Sequence, residues 1–370
     1  MGGTIDRGAR VREACCIKVL ALAVLRLAAI RSDGIEVCAQ PRGTRGSEPA
    51  LRILFITASR IGDAVLSTGL LAHLLEQNPA ALATIAAGPL ALPLFAGVPR
   101  LERLIPLVRH HVIGHWAGLY RTVAAARWDW VVDLRGSAFA YLLPFARHRR
   151  VAEKRNPNEH QIRQLARLLD VEPPPAPRLW LLPEHEAAAA ALVPKTGPVL
   201  AIGPAANWRA KQWRDRNFAA LAQRLTAPGG LFADAPVVVL AASNERAQAQ
   251  ALLEAVPEGR RIDLVGRADL LTAAAVLKRC AMFIGNDTGL THIAAAMGTA
   301  TLALFGPGSV VRYRPWGERT AVVTTPEPPE VLMGPGFDHR TADTLMDSLS
   351  VDAVAAAATA LRRRFPDGGR

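Results

Sequence analysis

The chain has 370 residues, half of them hydrophobic and 5% aromatic, with a net charge of +12. That supplies apolar material for two cores, and the basic balance favours anionic partners: nucleotides or an acidic membrane surface. Zinc-finger spacing, an RNA-binding signature and basic-aromatic alternation are all missing, which argues against nucleic acid as a partner. The four cysteines, Cys15, Cys16, Cys38 and Cys280, have neither metal-site nor redox spacing and fit a reducing cytoplasm.

Residues 15–30 are mostly apolar but carry Lys18 and Arg26, so the run is too short and broken to span a bilayer. It also lacks the clean apolar stretch of a signal peptide. With the Gly-, Arg- and Ser-rich residues 31–50, it reads as a disordered leader or as sequence upstream of the true start. An interfacial amphipathic anchor is the alternative.

The folded body opens with a strand over 51–56, a polar turn (Thr57-Ala58-Ser59-Arg60-Ile61-Gly62-Asp63) and a helix over 64–77 stopped by Asn78-Pro79. Strands at 83–87, 101–107 and 130–134 alternate with helical patterns at 90–95, 118–127 and 138–145. The alternation predicts a parallel sheet with helices on both faces. The basic run at 147–150, continuing to Lys154 and Arg155, reads as a solvated helix face. A Pro-rich spacer at 171–177 follows, then a short helix over 184–192.

The β/α pattern then restarts: strand 199–202, helix 215–225, strand 237–240, helix 244–256, strand 262–265, helix 270–279. The segment IGNDTGLTHIAAAMGTATLALFG, residues 284–306, reads as strand, polar turn, helix, strand. A last strand at 322–324, a Pro- and Gly-rich loop at 325–340 and a helix over 351–364 complete the chain. Two α/β halves of this kind would leave a cleft between facing strand ends, where open α/β sheets bind ligands.

Chemistry-bearing residues fall at strand-to-helix turns. Asp63 suits a helix cap or a general base. The loop Gly203-Pro204-Ala205-Ala206-Asn207-Trp208-Arg209-Ala210-Lys211-Gln212-Trp213 carries two cations between tryptophans, and Lys211 could neutralise a diphosphate as a point charge. Glu245 is either a first-turn helix acid or an acceptor for a ribose hydroxyl. At the Asn286-Asp287-Thr288-Gly289 turn, the free N–H groups of a helix start suit a phosphate, while Asp287 and His292 supply further chemistry.

Three stretches together, ILFITASRIGDAVLSTGLLAHL, IGPAANWRAKQWRDRNFAALAQRL and IGNDTGLTHIAAAMGTATLALFGP, resemble glycosyltransferase family nine, the bacterial lipopolysaccharide heptosyltransferases with the GT-B fold. The likeness spans roughly residues 51–365, and TLMDSLSVDAVAAAATAL resembles the family's closing segment. It implies two Rossmann-like parallel-sheet domains facing across a cleft: 51–190 on the acceptor side, including the Pro-rich linker, 191–345 for the nucleotide sugar, and a C-terminal helix in 346–370. It implies inverting, metal-independent transfer of heptose from ADP-heptose to the lipopolysaccharide core, at the cytoplasmic face of the inner membrane with peripheral membrane contact.

By the same resemblance, Asp63 matches the catalytic base and Lys211 the lysine facing the leaving phosphates. Thr288 and Gly289 match the backbone donors to the diphosphate. Asp287 would contact the sugar, His292 lies in the same donor motif, and Glu245 resembles the ribose-binding acid. Arg60, Arg135 and Arg149 are candidates for acidic groups on a lipid-linked acceptor. Gly308-Ser309-Val310 departs from the family's usual polar residue and Asp-Pro, which puts that edge of the donor site in question. Another nucleotide sugar with a polysaccharide acceptor, a GT-B-shaped nucleotide-sugar epimerase, and a binding module with dead chemistry are the alternatives.

Overall fold

The computed structural model describes residues 50–108, 114–193, 197–338 and 340–366. The leader expected over residues 1–50 lies outside the described residues except for Ala50. The chain divides into two compact units: the described parts of 50–59, 75–92 and 99–154, and those of 60–74, 93–98 and 155–370.

The first unit holds a five-stranded, all-parallel sheet. Its strands are β1 (Arg52–Ile56), β2 (Leu82–Ala87), β3 (Leu101–Pro106), β4 (Trp128–Asp133) and β5 (Ala146–Val151), in the spatial order β3-β2-β1-β4-β5. β1 reads RILFI with its last four residues buried, the continuous apolar run of a strand covered on both faces. Leu54, Ile56, Val131, Leu119, Val123 and Phe139 form one core cluster of this unit. The chain runs outward through β2 and β3, then returns to place β4 on the other side of β1. The β1/β4 boundary is therefore a topological switch point.

β5 corrects the expectation of a solvated helix face at 147–150. The run ARHRRV is an edge strand in register with β4, with Trp130 opposite His148 and Val132 opposite Arg150. The His148 ring stacks on Trp130 at 4.6 Å, and the Arg150 guanidinium lies 5.6 Å from the same indole. Long cationic side chains cover the aromatic surface while charging an exposed strand edge, which blocks further strand pairing. The preceding helix shrinks accordingly, from the expected 138–145 to Phe139–Leu142.

The second unit holds a six-stranded, all-parallel sheet: β6 (Leu200–Gly203), β7 (Val237–Val239), β8 (Arg261–Asp263), β9 (Met282–Asn286), β10 (Ala300–Phe305) and β11 (Thr320–Thr324), ordered β11-β10-β9-β6-β7-β8. Here the switch point lies between β6 and β9. Leu200, Ile202, Phe218, Val237, Ile284 and Leu302 belong to its main core cluster. One expected helix, 244–256, is broken into a 3-10 turn at Ser243–Ala249 and a short α-helix at Gln250–Ala255. One local and one long-range bond hold side chains of this stretch: Glu245 accepts from the Ala242 amide three residues back, and Gln248 accepts from the Ala206 amide, 42 residues away, at 3.0 Å.

Candidate functional site at the β6/β9 switch point

β9 ends at a buried Asn286, whose side chain reaches sideways across the switch point. Its Oδ1 accepts from the Trp213 amide at 3.1 Å, and its Nδ2 donates to the Pro204 carbonyl at 2.8 Å. One amide thus fixes both ends of the long loop that carries Lys211. The Asn286 carbonyl in turn accepts from the Thr291 hydroxyl at 2.6 Å, tying strand end to helix start. Sequence reasoning gave Asn286 no role. The available signal was an Asn ending an otherwise apolar strand, a position with no water to satisfy it.

Thr288 is extended (φ −141°, ψ 177°) and precedes α1 (Gly289–Ala296). Its hydroxyl makes no capping hydrogen bond. The first-turn N–H groups are therefore left without the usual side-chain cap, as an anion-binding helix start requires. Within the same unit, α1 begins close to the start of a second helix, α2 (Ile61–Gln77). A Cβ on Gly289 would lie 2.6 Å from Ile61 Cγ2, and one on Gly62 would lie 2.9 Å from His292 Cδ2. Two glycines thus allow two positive helix ends to meet.

Around this point the chain gathers four of the sequence-expected residues. Lys211 Nζ donates to Asp287 Oδ2, with the lysine side chain 21% exposed and the aspartate 6%. Lys211 also lies 5.8 Å from the Trp208 ring centre. Gly308 sits against this pair, since a Cβ there would be 2.6 Å from Asp287 Oδ2. Asp63, in the first turn of α2, is buried, its Oδ1 has no hydrogen-bond partner among the described residues, and its Oδ2 lies 3.7 Å from Arg155 Nη2. His292 is buried, and its Nδ1 has no hydrogen-bond partner among the described residues. Burial holds its imidazole below the ordinary 6.5; the nearby Asp287 and Asp63 carboxylates oppose that shift and Lys211 adds to it. The ring is therefore neutral at pH 7.

The other candidates have separate surroundings, although Arg60 adjoins the same helix start. Glu245 turns its carboxylate back to the Ala242 amide at 2.9 Å, closing its own 3-10 turn. Arg60 is exposed at the start of α2, where its carbonyl accepts from the Ala64 amide. Arg135 belongs to the first unit, beside the β1/β4 switch point. Its guanidinium lies 5.4 Å from the Trp116 ring and reaches Ser59 Oγ at 3.5 Å. The loop bearing it is shaped by buried Asp133, which accepts from the Arg135 amide and the Ser137 hydroxyl. Arg149 is committed to backbone: it donates to the carbonyls of Ala140, Leu143 and Ala146 at 3.0, 2.6 and 2.8 Å.

Residues 120–333 match the family pattern described as Glycosyltransferase family 9 (heptosyltransferase). The chain belongs to glycosyltransferase family 9. Among curated relatives of this family-9 member is lipooligosaccharide heptosyltransferase 2 of Haemophilus influenzae, 25% identical over 314 residues, covering 74% of this chain and 88% of that protein. Lipopolysaccharide heptosyltransferase 2 of Escherichia coli is also 25% identical, over 310 residues with the same coverage. Among solved structures, a family-9 glycosyltransferase from Veillonella parvula superposes with a TM-score of 0.70 at 19% identity, over 86% of this chain and all of that one. E. coli ADP-heptose lipopolysaccharide heptosyltransferase II superposes at 0.66 and 22% identity, over 85% and 99%. The two all-parallel α/β units are those of the GT-B class, and the family-9 chain is a glycosyltransferase.

Proposed function

We propose that this glycosyltransferase moves heptose from ADP-heptose to the lipopolysaccharide core with inversion at the anomeric carbon, Asp63 acting as general base. The heptosyltransferase names of its relatives support the donor and acceptor classes. The observation that carries the reading is the gathering of Asp63, His292, Asp287, Lys211 and the start of α1 in one neighbourhood.

In the reaction, the acceptor hydroxyl loses its proton to the Asp63 carboxylate while its oxygen forms the new bond to the anomeric carbon. The bond from that carbon to the β-phosphate oxygen breaks, and ADP leaves with the electron pair. Charge then grows on the diphosphate. Lys211 and the uncapped N–H groups of Gly289 and its neighbours are the groups that stabilise it, fixed beforehand and partly shielded from water. Asp287 holds Lys211 until phosphate arrives and then turns to hydroxyls of the sugar. A neutral His292 can accept or donate a hydrogen bond there without adding a charge. Glu245 would have to leave the Ala242 amide to bind ribose. Arg60, Arg135, and Arg155 beside Asp63 each offer a cation for acidic groups on the acceptor, whereas Arg149 acts by bracing the backbone of residues 140–146.

The basic chain works at the cytoplasmic face of the inner membrane, held peripherally by attraction to acidic lipid headgroups. Among the described residues no helix is long and apolar enough to cross a membrane. The test is transfer to purified core acceptor from ADP-heptose, compared with UDP- and GDP-sugars, for wild type and Asp63→Asn. ADP-heptose is expected to be the preferred donor, with kcat for Asp63→Asn down by about 10²–10⁴-fold, the usual contribution of a general base. Absence of ADP-sugar binding by calorimetry would overturn the donor. Isomerised free sugar without acceptor would instead mark an epimerase.

A further inference from the structure

Lys211 is held from a part of the chain more than 130 residues away. The Leu345 amide donates to the Ala210 carbonyl at 3.0 Å, and the Thr344 hydroxyl donates to the Gln212 carbonyl. These two carbonyls flank Lys211 on either side. Just beyond, the Trp213 indole N–H donates to the Leu349 carbonyl at 2.8 Å. Outer ties run from Arg209 to Asp343 at 2.6 Å, and from Arg214 to both Asp343 and Asp347.

The segment 343–349 is itself anchored. Met346 and Leu349 are sunk in the core of the second unit. Gly306, at the end of β10, leaves the room that the Met346 thioether fills. Thr344 Oγ1 accepts from the Met346 amide at 3.0 Å, so one hydroxyl joins the buried anchor to the Lys211 loop. The Asp343 carboxyl is lowered to about 2 by the Thr344 amide and the Arg209 guanidinium, so the outer ties stay ionised at any working pH.

We propose that residues 343–349 form a strap that positions Lys211, with Thr344 the positioning residue that transmits the buried Met346 anchor to the loop immediately after the lysine, at the Gln212 carbonyl. The proposal rests on the reading of Lys211 as the cation facing the leaving diphosphate. A lysine side chain alone has four rotatable bonds and no fixed aim. Pinning both flanking carbonyls removes the backbone share of that freedom. A cation that acts mainly on charge developing in the transition state then depends on the strap in kcat more than in donor affinity.

The experiment compares wild type, Thr344→Val and Thr344→Ser, each with Lys211 and with Lys211→Ala, in full-length protein. Two readouts are used: steady-state transfer kinetics, and the rate of acetic anhydride labelling of Lys211 by mass spectrometry. Thr344→Val is expected to lower kcat about tenfold or more while donor KM changes less than about threefold, since sub-ångström misplacement of a catalytic group weighs on the chemical step. Thr344→Ser should return kcat to within about twofold, and Thr344→Val should add no loss to Lys211→Ala, as expected for residues acting through one another. Labelling of Lys211 should rise severalfold in Thr344→Val and not in Thr344→Ser. Unchanged kcat and labelling in Thr344→Val, or an equal further loss in the Lys211→Ala background, would overturn the strap. Full activity of Lys211→Ala would overturn the role of Lys211 itself, while labelling still decides whether the strap orders it. If Thr344→Val melts far below wild type, Asp343→Asn combined with Asp347→Asn loosens the strap from its exposed side and carries the same comparison.

Discussion

Gly62→Ala tests whether the meeting of two helix starts matters for activity. The added Cβ would lie 2.9 Å from His292 Cδ2, 3.5 Å from Nε2 and 3.8 Å from Gly289 Cα. Carbon atoms rest at about 3.5–4.0 Å, so the ring or the helix must retreat by about 0.6–1.1 Å. His292 is 95% buried and cannot swing into solvent. Overpacking of this kind costs about 1–3 kcal/mol, and replacing a helical glycine by alanine offsets up to about 1 kcal/mol. The net destabilisation is then about 0–3 kcal/mol, a fall in Tm of no more than about 5 °C. Activity is affected more than stability, because the moved ring faces the Asp63 and Asp287 carboxylates. A shift approaching 1 Å among catalytic groups is worth about ten- to hundredfold in kcat. Thermal unfolding and steady-state transfer by the same preparation check both numbers. Wild-type kcat in a folded Gly62→Ala protein would refute the reasoning, since it would show that the site does not depend on this close approach.

Gly308→Ala places a Cβ 2.6 Å from Asp287 Oδ2 and so separates Lys211 from Asp287; ADP affinity by calorimetry is expected to change by about tenfold, on the scale of one charge-assisted hydrogen bond. Arg312 is buried and donates to the Asn156 carbonyl at 2.6 Å, to Gln164 at 3.2 Å, to Gln161 and to the Tyr313 hydroxyl. Arg312→Met removes these bonds of a buried guanidinium, although Gln164 Oε1 keeps the Asn156 amide and the exposed Asn156 carbonyl can turn to water, and should cost about 1–3 kcal/mol in denaturant unfolding, with no measurable loss counting against it. His160 and His292 are both held below their ordinary 6.5 by burial. Below that pH the unfolded chain takes up protons that the folded chain refuses, so their stabilisation is lost as pH falls from about 6.5 through the folded values. Tm should therefore drop between pH 7 and 5, with a smaller drop in His160→Asn; a flat profile would contradict the burial argument.

The alternation of apolar runs and polar turns determined the α/β class by itself, because strands of a parallel sheet are buried on both faces and read as unbroken apolar segments. Residues 282–286 and 300–305 show it, and both are strands in register with one another. Candidate residues were legible at the turns because polar groups stand out there: Asp63, Lys211 and Asp287 follow apolar runs, His292 lies one turn into α1, and the fold brings these four close together. Sequence pattern failed where tertiary contacts outweigh local periodicity. ARHRRV became an edge strand because Trp130 offered a surface for His148 and Arg150. The helix expected at 244–256 is broken where Glu245 turns back to the Ala242 amide and Gln248 reaches the sequence-distant Ala206 amide.

Only the tertiary structure decided which of the turns meet. Nothing in the spacing of Gly62 and Gly289 says that they share a contact, and nothing local distinguishes Arg135, beside a switch point, from Arg149, spent on three carbonyls. The hold of residues 343–349 on the two carbonyls flanking Lys211 lies equally beyond sequence reading. Hydrogen bonds to backbone carbonyls leave no mark on the residue type that accepts them, so the family-like segment beginning at Thr344 gave no sign of a bond to Gln212 until the fold brought the two together.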